Sequence, residues 1–273
     1  MRMILPPAFL DTPIAHRGLH DAANGIPENS RSAVRRAAGA GYGVEIDVQL
    51  SSDGRAIVFH DDTLERLTHA SGPVNGRTAR DLSDLVLRDS EDRVPTLADI
   101  LALVAGRVPL LVEIKDQSGA LAEGPGGLER AVAADLSGYG GPVAVMSFNP
   151  FVVAAMKDIA PELPRGLVTC GFIPSQWPRL SAERCAALRS IAAFGKAGAR
   201  FISHDRTDLG SPRVADLKAQ GVPVLCWTVR SPQVEAEARR VADNITFEGY
   251  LPDVPGQDPA RWAGIDLGPG RTT

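Results

Sequence analysis

The feature that most constrains the fold is an alternation, repeated along the chain, between short β-branched runs and longer segments rich in Ala, Leu and Arg. This alternation is typical of a parallel sheet with crossover helices. Eight strands are predicted, beginning near residues 13–15, 43–49, 109–114, 143–146, 165–168, 200–202, 222–227 and 244–247. Eight repeats in about 250 residues predict an α/β fold closed into a (β/α)8 TIM barrel.

Helices are predicted between these strands, at residues 30–40, 96–105, 127–136, 149–159, 182–195, 212–220 and 232–241. Asn29 or Ser30 before the first of them and Thr96 before the second are N-cap signals. A polar section, 61–94, separates the second and third strands and contains turn signals, so it is predicted to be an insertion and not a domain. We expect residues 1–273 to form one barrel domain, with the Pro- and Gly-rich tail, 253–273, wrapped around the outside.

Composition excludes several classes of protein. Hydrophobic residues make up 44% and charged residues 23% of the chain, which is typical of a globular protein. The 29 basic residues are outnumbered by 33 acidic ones, and no basic block stands out. Nucleic acid is therefore not an expected partner.

Three features of the sequence bear on location. The apolar start of the chain is broken by Pro6 and Pro7 and is too short for a signal peptide core, and the longest apolar region, 97–114, contains charged residues and a proline. The three cysteines have no CxxC spacing. These observations predict a soluble protein of the reducing cytoplasm without stable membrane insertion; they do not address its oligomeric state.

Ionisable residues stand at the ends of the first three predicted strands. The first ends in His16 and Arg17, the second carries Glu45 and Asp47, and the third carries Glu113 and Lys115. Residues i and i+2 of a strand share a face, so both i, i+2 pairs can point into the barrel mouth while the isoleucines between them pack against helices.

Three acids at one barrel mouth raise an electrostatic problem. Two carboxylates about 4 Å apart repel by about 4 kcal/mol at an effective dielectric constant of about 20, so the cluster needs raised pKa values or a cation. An all-oxygen donor set favours one hard divalent cation, Mg²⁺ or Ca²⁺, over zinc. The alternative is that Glu45, Asp47 and Glu113 are paired separately with Arg or Lys at the barrel rim.

Two histidines flank the acidic residues. His16 follows the first strand, and His60 ends the apolar run 56–59. A pair of imidazoles suits general acid and base catalysis near neutral pH, and the alternative is that both are ordinary hydrogen-bonded histidines at strand ends. His20, His69 and His204 lack matching acidic partners in the sequence and are predicted to have no such role.

These motifs and their order resemble the glycerophosphodiester phosphodiesterase family over about residues 11–252. The resemblance rests on His-Arg-Gly at 16–18, Pro-Glu-Asn-Ser at 27–30, Glu-Ile-Asp-Val-Gln-Leu at 45–50, Asp-Gly at 53–54, Phe-His-Asp at 59–61, Glu-Ile-Lys at 113–115, Ser-Phe at 147–148 and Trp-Thr-Val at 227–229.

The resemblance implies a TIM-barrel hydrolase that cleaves small-molecule glycerophosphodiesters to sn-glycerol 3-phosphate and an alcohol, using one divalent cation. By similarity, the metal ligands would be Glu45, Asp47 and Glu113. His16 and His60 would then serve as general base and general acid.

The same resemblance suggests substrate-binding residues. Arg17 and Lys115 would bind phosphate oxygens, and Glu28 would either orient the catalytic residues or touch the glycerol. Trp227 would present its indole to the glycerol carbons or pack in the core, and Asn29 is interpreted as a helix cap.

The chain departs from the family pattern on the side of the alcohol. Arg230 stands where an Asn is usual, and Glu248 follows the last strand where many relatives have Thr-Asp. After the fifth strand, the apolar loop 171–178 could form a wall for the leaving alcohol or an acyl chain, in which case Phe172 and Trp177 would contact it. The alternative is that the loop folds onto a neighbouring helix.

Two other functions remain open. A lysophospholipase D or a phosphoinositide-cleaving phospholipase would use the same two-histidine site on a lipid, and a non-catalytic barrel would only bind phosphodiesters. Metal-dependent amidohydrolases are excluded, because they place HxH on the first strand and residue 18 is Gly.

Overall fold

The computed structural model describes residues 5–124 and 126–254. The strands in these residues are β1 (Ile14–Ala15), β2 (Gly43–Leu50), β3 (Ala56–Val58), β4 (Leu110–Ile114), β5 (Val143–Ser147), β6 (Arg165–Thr169), β7 (Phe201–Asp205), β8 (Val224–Val229) and β9 (Asn244–Phe247). All except β3 pair in parallel in chain order, and β1 pairs with both β9 and β2. The sheet therefore closes, which confirms the predicted TIM barrel, while β3 forms an antiparallel hairpin with β2.

The helices surround this barrel. They are α1 (Ala8–Asp11), α2 (Arg31–Gly39), α3 (Ala79–Ser83), α4 (Leu97–Val104), α5 (Gly127–Leu136), α6 (Pro150–Ile159), α7 (Ala182–Arg189), α8 (Pro212–Ala219) and α9 (Pro232–Ala238). The seven predicted helices are all present, but α7 is shorter than predicted, because Ile191 just beyond it adopts a left-handed φ of 48°. Thr96 caps α4 in a capping box, as its sequence predicted.

The barrel interior is divided along its axis. Its lower half is an apolar floor closed by α1, formed by Leu5, Phe9, Ile14, Leu111, Ala144, Met146, Val168, Phe201 and Leu225. Asn244 of β9 donates hydrogen bonds from its side-chain amide to the carbonyls of Phe9 and Thr12, which tie the α1 segment to the closing strand. A second apolar layer lies between the outer face of the strands and the helices.

The predicted insertion packs as a small unit on the barrel. Its apolar cluster comprises Leu64, Val74, Leu82, Leu87 and Val94 together with Ile57 and Phe59, which precede the insertion. α3 belongs to the insertion and β3 comes just before it, and neither was predicted as a regular element. That residues 1–273 form one domain stays a prediction, and the tail from residue 255 lies outside the described residues.

Two further findings concern membrane-spanning helices and the cysteines. In the part of the chain that the structure describes, no helix is long and apolar enough to span a membrane. Cys170, Cys185 and Cys226 are buried free thiols.

Candidate active site

Three carboxylates lie together at the barrel mouth, where the carboxyl ends of β2 and β4 are adjacent. Glu45 and Asp47 belong to β2, and the sheet register pairs Asp47 with Glu113 of β4. One carboxylate oxygen from each residue lies within 4.8 Å of the others, and all three residues are buried. Ile46 and Ile114 face the helices instead, as the i, i+2 spacing predicted.

The charges of this carboxylate cluster are only partly balanced by the chain. Burial and the neighbouring Asp47 and Glu113 raise the pKa of Glu45 well above its usual range. Burial alone would also raise the pKa of Asp47, but positive groups led by Lys115 lower it below its ordinary value. Lys115 Nζ lies 2.7 Å from Asp47 Oδ1 and 2.7 Å from Glu113 Oε1. The remaining negative charge and the all-oxygen donor set fit a hard divalent cation.

The His-Arg-Gly motif turns the chain so that Arg17 faces the carboxylates. Gly18 has φ 76°, and a Cβ there would lie 2.8 Å from a backbone carbon of α2, so only glycine fits. The Arg17 backbone N–H donates to Glu45 Oε2 (2.9 Å), and its Nη1 donates to Glu28 Oε1 (2.7 Å). Arg17 Nε is buried, lies 3.3 Å from Asp47 Oδ2 and has no hydrogen-bond partner among the described residues. One guanidinium donor is thereby left for a ligand.

Asn29 is not the helix cap that its sequence position suggested. Ser30 caps α2, because its side chain accepts a hydrogen bond from the N–H of Ala33. Asn29, with a left-handed φ of 57°, instead donates from Nδ2 to Asp47 Oδ2 (2.8 Å) and accepts from the Asp47 N–H (3.1 Å). The amide of Asn29 therefore fixes the orientation of a candidate metal ligand.

His16 is held by a carboxylate from the far end of the chain. Its Nδ1 lies 2.6 Å from Oε2 of Glu248, the residue after β9. Arg230 donates from Nε to the other oxygen of Glu248 (2.7 Å), so both departures from the family pattern meet at this imidazole. His20 Nε2 lies 3.6 Å from Glu248 Oε2, an acidic partner that its own sequence segment did not reveal; that His20 has no catalytic role stays a prediction. His204 likewise has an acidic partner, in Asp208 at 3.2 Å.

The protonation of the His16 pair follows from burial and charge. Burial lowers the pKa of His16, although its hydrogen bond to Glu248 opposes the shift. Burial alone would raise the pKa of Glu248, but its hydrogen bonds to His16 and His20 lower it below the ordinary value. Glu248 is thus an anion that hydrogen-bonds to Nδ1 of His16. Nε2 is the ring nitrogen that remains available to a ligand.

His60 has a similar arrangement on the opposite side. It follows β3, and its Nδ1 lies 2.7 Å from Oδ1 of Asp61, the next residue. Its backbone carbonyl accepts a hydrogen bond from Gln49 Nε2 (3.2 Å), which ties the segment after β3 to β2. The His60 side chain is one-third exposed (33%).

The two histidines line a single cavity of about 180 Å³. The other charged residues that line it are Arg17, Glu45, Glu113, Lys115 and Arg230. Thr246 of β9 also lines the cavity, and its buried hydroxyl has no hydrogen-bond partner in the described chain. The cavity therefore offers two imidazoles, positive charge and free polar atoms to one small anionic ligand.

A larger groove of about 540 Å³ opens from the same site. It shares His60, Glu113, Lys115 and Phe148 with the cavity and extends outward past Trp177. Trp227 lines the cavity, donates from its indole to the Ser203 carbonyl (3.0 Å) and packs edge-on against Phe148 at 5.6 Å.

Of the two aromatic residues expected to contact the alcohol, the structure places one in this groove. Trp177 is among its lining residues. Phe172 is only 1% exposed and packs beneath Trp177, with ring centroids 5.0 Å apart, so the expectation for Phe172 is wrong. The backbone of Phe172 has a left-handed φ of 41°.

Sequence reasoning missed several residues of the site. Sequence analysis noted Glu248 only as a departure from the family pattern, and the rule that strand carboxyl ends meet at one mouth could have placed it at the site. Asn29 and Thr246 are found only in three dimensions, because an amide and a hydroxyl carry no signal in the sequence for the carboxylate or cavity that they face.

Comparison with known proteins assigns the chain to a family. Residues 16–254 match the model of the glycerophosphoryl diester phosphodiesterase family. A glycerophosphodiester phosphodiesterase of Caldanaerobacter subterraneus subsp. tengcongensis is 36% identical over 169 residues, which are 59% of this chain and 68% of that protein.

Solved structures agree with this assignment. The structure of an Oleispira antarctica phosphodiesterase in complex with the product sn-glycerol-3-phosphate is 25% identical, with a TM-score of 0.71 over 89% of this chain and 95% of that one. A glycerophosphodiester phosphodiesterase from Thermotoga maritima, 19% identical, shares the fold with a TM-score of 0.65 over 86% and 94% of the two chains. The chain therefore belongs to the glycerophosphoryl diester phosphodiesterase family and is an enzyme of that class.

Proposed function

We propose that this enzyme hydrolyses small-molecule glycerophosphodiesters to sn-glycerol 3-phosphate and an alcohol, with a bound divalent cation and two catalytic histidines. The observation that carries the proposal is the cavity of about 180 Å³ in which His16 and His60 meet two of the three clustered carboxylates. The Oleispira antarctica relative, which binds the product sn-glycerol-3-phosphate, supports this choice of substrate.

The metal site would be formed by Glu45, Asp47 and Glu113. Their oxygens are close enough to share one ion. Burial, together with the neighbouring Asp47 and Glu113, raises the pKa of Glu45, and a bound cation would stabilise its ionised form. Mg²⁺ and Ca²⁺ both suit an all-carboxylate set. When bound, such an ion supplies Lewis-acid stabilisation of a phosphoryl oxygen.

Arg17 and Lys115 would bind the phosphate. Arg17 Nε is buried without a hydrogen-bond partner in the described residues, so a phosphate oxygen would satisfy it. Burial by itself lowers the pKa of Lys115, but Asp47 and Glu113 raise it above the ordinary value, and its ammonium stays protonated. The two cations stabilise the negative charge that develops on the phosphoryl oxygens.

His16 and His60 would move the protons. Each has Nδ1 tied to a carboxylate, Glu248 or Asp61, which leaves Nε2 for the substrate. One imidazole removes a proton from the nucleophile, either water or a glycerol hydroxyl, and the other gives a proton to the leaving alkoxide. Each transfer typically contributes about 10²–10⁴-fold to the rate.

An assay of product formation tests the proposal. The purified chain should release glycerol 3-phosphate and choline from glycerophosphocholine, lose this activity with EDTA and regain it with Mg²⁺ or Ca²⁺. Glu45→Gln should abolish the recovery, while Glu123→Gln, a change of an exposed acid, should not alter it. Turnover that resists chelation would contradict the metal site, and no turnover of any glycerophosphodiester would contradict the proposed substrate.

A second substrate class is favoured by the apolar wall of the groove. Phe148, Trp177, Leu121 and Leu180 line it and could accept the acyl chain of a lysophospholipid. This lysophospholipase D activity uses the same catalytic residues and differs only in the alcohol. Parallel assays with glycerophosphocholine and lysophosphatidylcholine distinguish the two by the ratio of their kcat/KM values.

A cytoplasmic location remains part of the proposal. It is supported by the three buried thiols, which suit a reducing compartment. Fractionation of cells that produce the native chain would test it.

A further inference from the structure

One arginine of the insertion bridges the two sides of the site. Arg66 uses both edges of its guanidinium. Nη1 and Nη2 donate to the two oxygens of Glu28 at 2.9 and 2.8 Å, while Nε and Nη2 donate to the two oxygens of Asp61 at 2.6 and 2.9 Å. Four of its five N–H donors are thus used on two carboxylates, an arrangement that only a planar guanidinium allows.

Each of these carboxylates also contacts a residue of the proposed mechanism. Glu28 Oε1 accepts from Arg17 Nη1 at 2.7 Å, and Asp61 Oδ1 lies 2.7 Å from His60 Nδ1. A continuous chain of hydrogen bonds therefore runs from Arg17 through Glu28, Arg66 and Asp61 to His60. It connects the end of β1 with the segment that follows β3.

We infer that Arg66 is a positioning residue that fixes the orientation of Arg17 and His60 relative to each other, through Glu28 and Asp61. This inference rests on the proposed function, in which Arg17 binds phosphate and His60 transfers a proton. It also gives the insertion a role in catalysis, because Arg66 is held between Leu64 and Leu67, which belong to the apolar cluster of the insertion or pack against it.

The charge states of the bridged groups agree with this role. Burial alone would raise the pKa of Glu28, but Arg66 and Arg17 lower it below the ordinary value. Burial likewise opposes ionisation of Asp61, whose pKa is nevertheless lowered by His60 and Arg66. Both groups are therefore carboxylates near neutral pH, and each can accept the bonds of the bridge.

The exposure of Arg66 bears on the stability of its variants. Its side chain is 47% exposed, so solvent screens its ion pairs, but bidentate pairs within a charge network contribute more than isolated surface pairs. A change at Arg66 should therefore lower the melting temperature modestly and leave the chain folded at the assay temperature. It should alter catalysis, because small displacements of catalytic groups lower rates strongly.

Kinetics of Arg66→Gln and Arg66→Lys test the inference with glycerophosphocholine as substrate. We expect kcat to fall by about 10-fold or more and KM to rise in both variants, because neither side chain can bind two carboxylates through two edges. Arg93→Ala is the matched control, since Arg93 lies in the same insertion, is 57% exposed and faces Asp84. Its kinetic constants should equal those of the wild type.

A coupling experiment separates positioning from a direct effect. Glu28→Gln should mainly raise KM, Asp61→Asn should mainly lower kcat, and Arg66→Gln should add nothing further when both changes are present. Arg66 variants with wild-type kinetics would overturn the inference. So would an Arg66→Gln change that lowers kcat/KM by its full factor when it is added to the Glu28→Gln, Asp61→Asn double variant. A wild-type enzyme without diesterase activity would overturn the proposed function and the inference together.

Discussion

The two halves of the barrel interior differ in chemistry although the same strands build them. Leu111 and Glu113 lie two residues apart on the same face of β4, yet the first packs in the apolar floor and the second lies in the carboxylate cluster. The floor removes apolar surface from water, which stabilises the fold. The mouth buries charged groups, which costs stability unless partners or a ligand compensate. Apolar packing and chemistry therefore occupy adjoining layers of one barrel, which meet where Met146 and Val168 of the floor line the cavity.

The strongest test of this separation is removal of the imidazoles at the mouth. His16→Ala and His60→Ala should each lower kcat by at least about 10²-fold, because each loses a proton-transfer group. Melting temperatures should stay near the wild-type value. His69→Ala removes an exposed histidine paired with Arg88 and serves as the control. A variant at either catalytic position with near-normal turnover would remove that histidine from the mechanism.

The opposite effect is expected at the floor. Phe201 is fully buried there, so Phe201→Ala should lower the free energy of unfolding by about 3–5 kcal/mol. Its folded fraction should turn over substrate at nearly the wild-type kcat at low temperature. Phe151→Ala, at a helical position that is 42% exposed, should change stability far less. Denaturant unfolding followed by circular dichroism measures both, and a floor variant with intact stability but lost kcat would contradict the division.

The two aromatic residues beside the groove should likewise differ, one affecting activity and the other stability. Trp177→Ala should weaken activity on lysophospholipids more than on glycerophosphocholine, because Trp177 lines the groove. Phe172→Ala should instead mainly lower the melting temperature, since Phe172 is buried. Competition between the two substrates gives the specificity ratio, and equal losses on both in Trp177→Ala would contradict the assignment of this groove to the alcohol.

The smallest expected effect concerns pH. Burial opposes ionisation of Asp61, but His60 and Arg66 lower its pKa below the ordinary value near 3.8. The ionised carboxylate therefore stabilises the folded state above about pH 4, and this contribution is lost as the pH falls below that value. The difference in unfolding free energy between wild type and Asp61→Asn should be largest near pH 7 and shrink toward pH 3. Urea titrations at several pH values measure this difference. A difference that stays constant with pH would contradict the lowered pKa of Asp61.

Much of the fold was predictable, because strands and helices differ in the period of their apolar residues. Part of the site was predictable for the same reason. Side chains of a strand alternate between its two faces, so Glu45 and Asp47 of β2 lie on the same face. The hairpin strand β3 was missed because three residues carry too little pattern.

Contacts between distant segments were not predictable from one sequence. Glu248 and His16 are 232 positions apart, and Arg66 and Glu28 are 38 apart. No local rule specifies which arginine meets which carboxylate, because such pairs depend on how loops cross the barrel mouth. Asn29 was misassigned for the same reason: a local capping rule competed with a tertiary contact to Asp47.

Closure of the barrel between β1 and β9 bears on how the enzyme is made. His16 emerges from the ribosome early, whereas its partner Glu248 follows the last strand. A nascent chain that ends before β9 lacks both the final barrel pairing and the anion that orients this imidazole. A non-local contact of this kind delays activity until the chain has been synthesised through Glu248, so shorter translation products should be inert toward phosphodiesters.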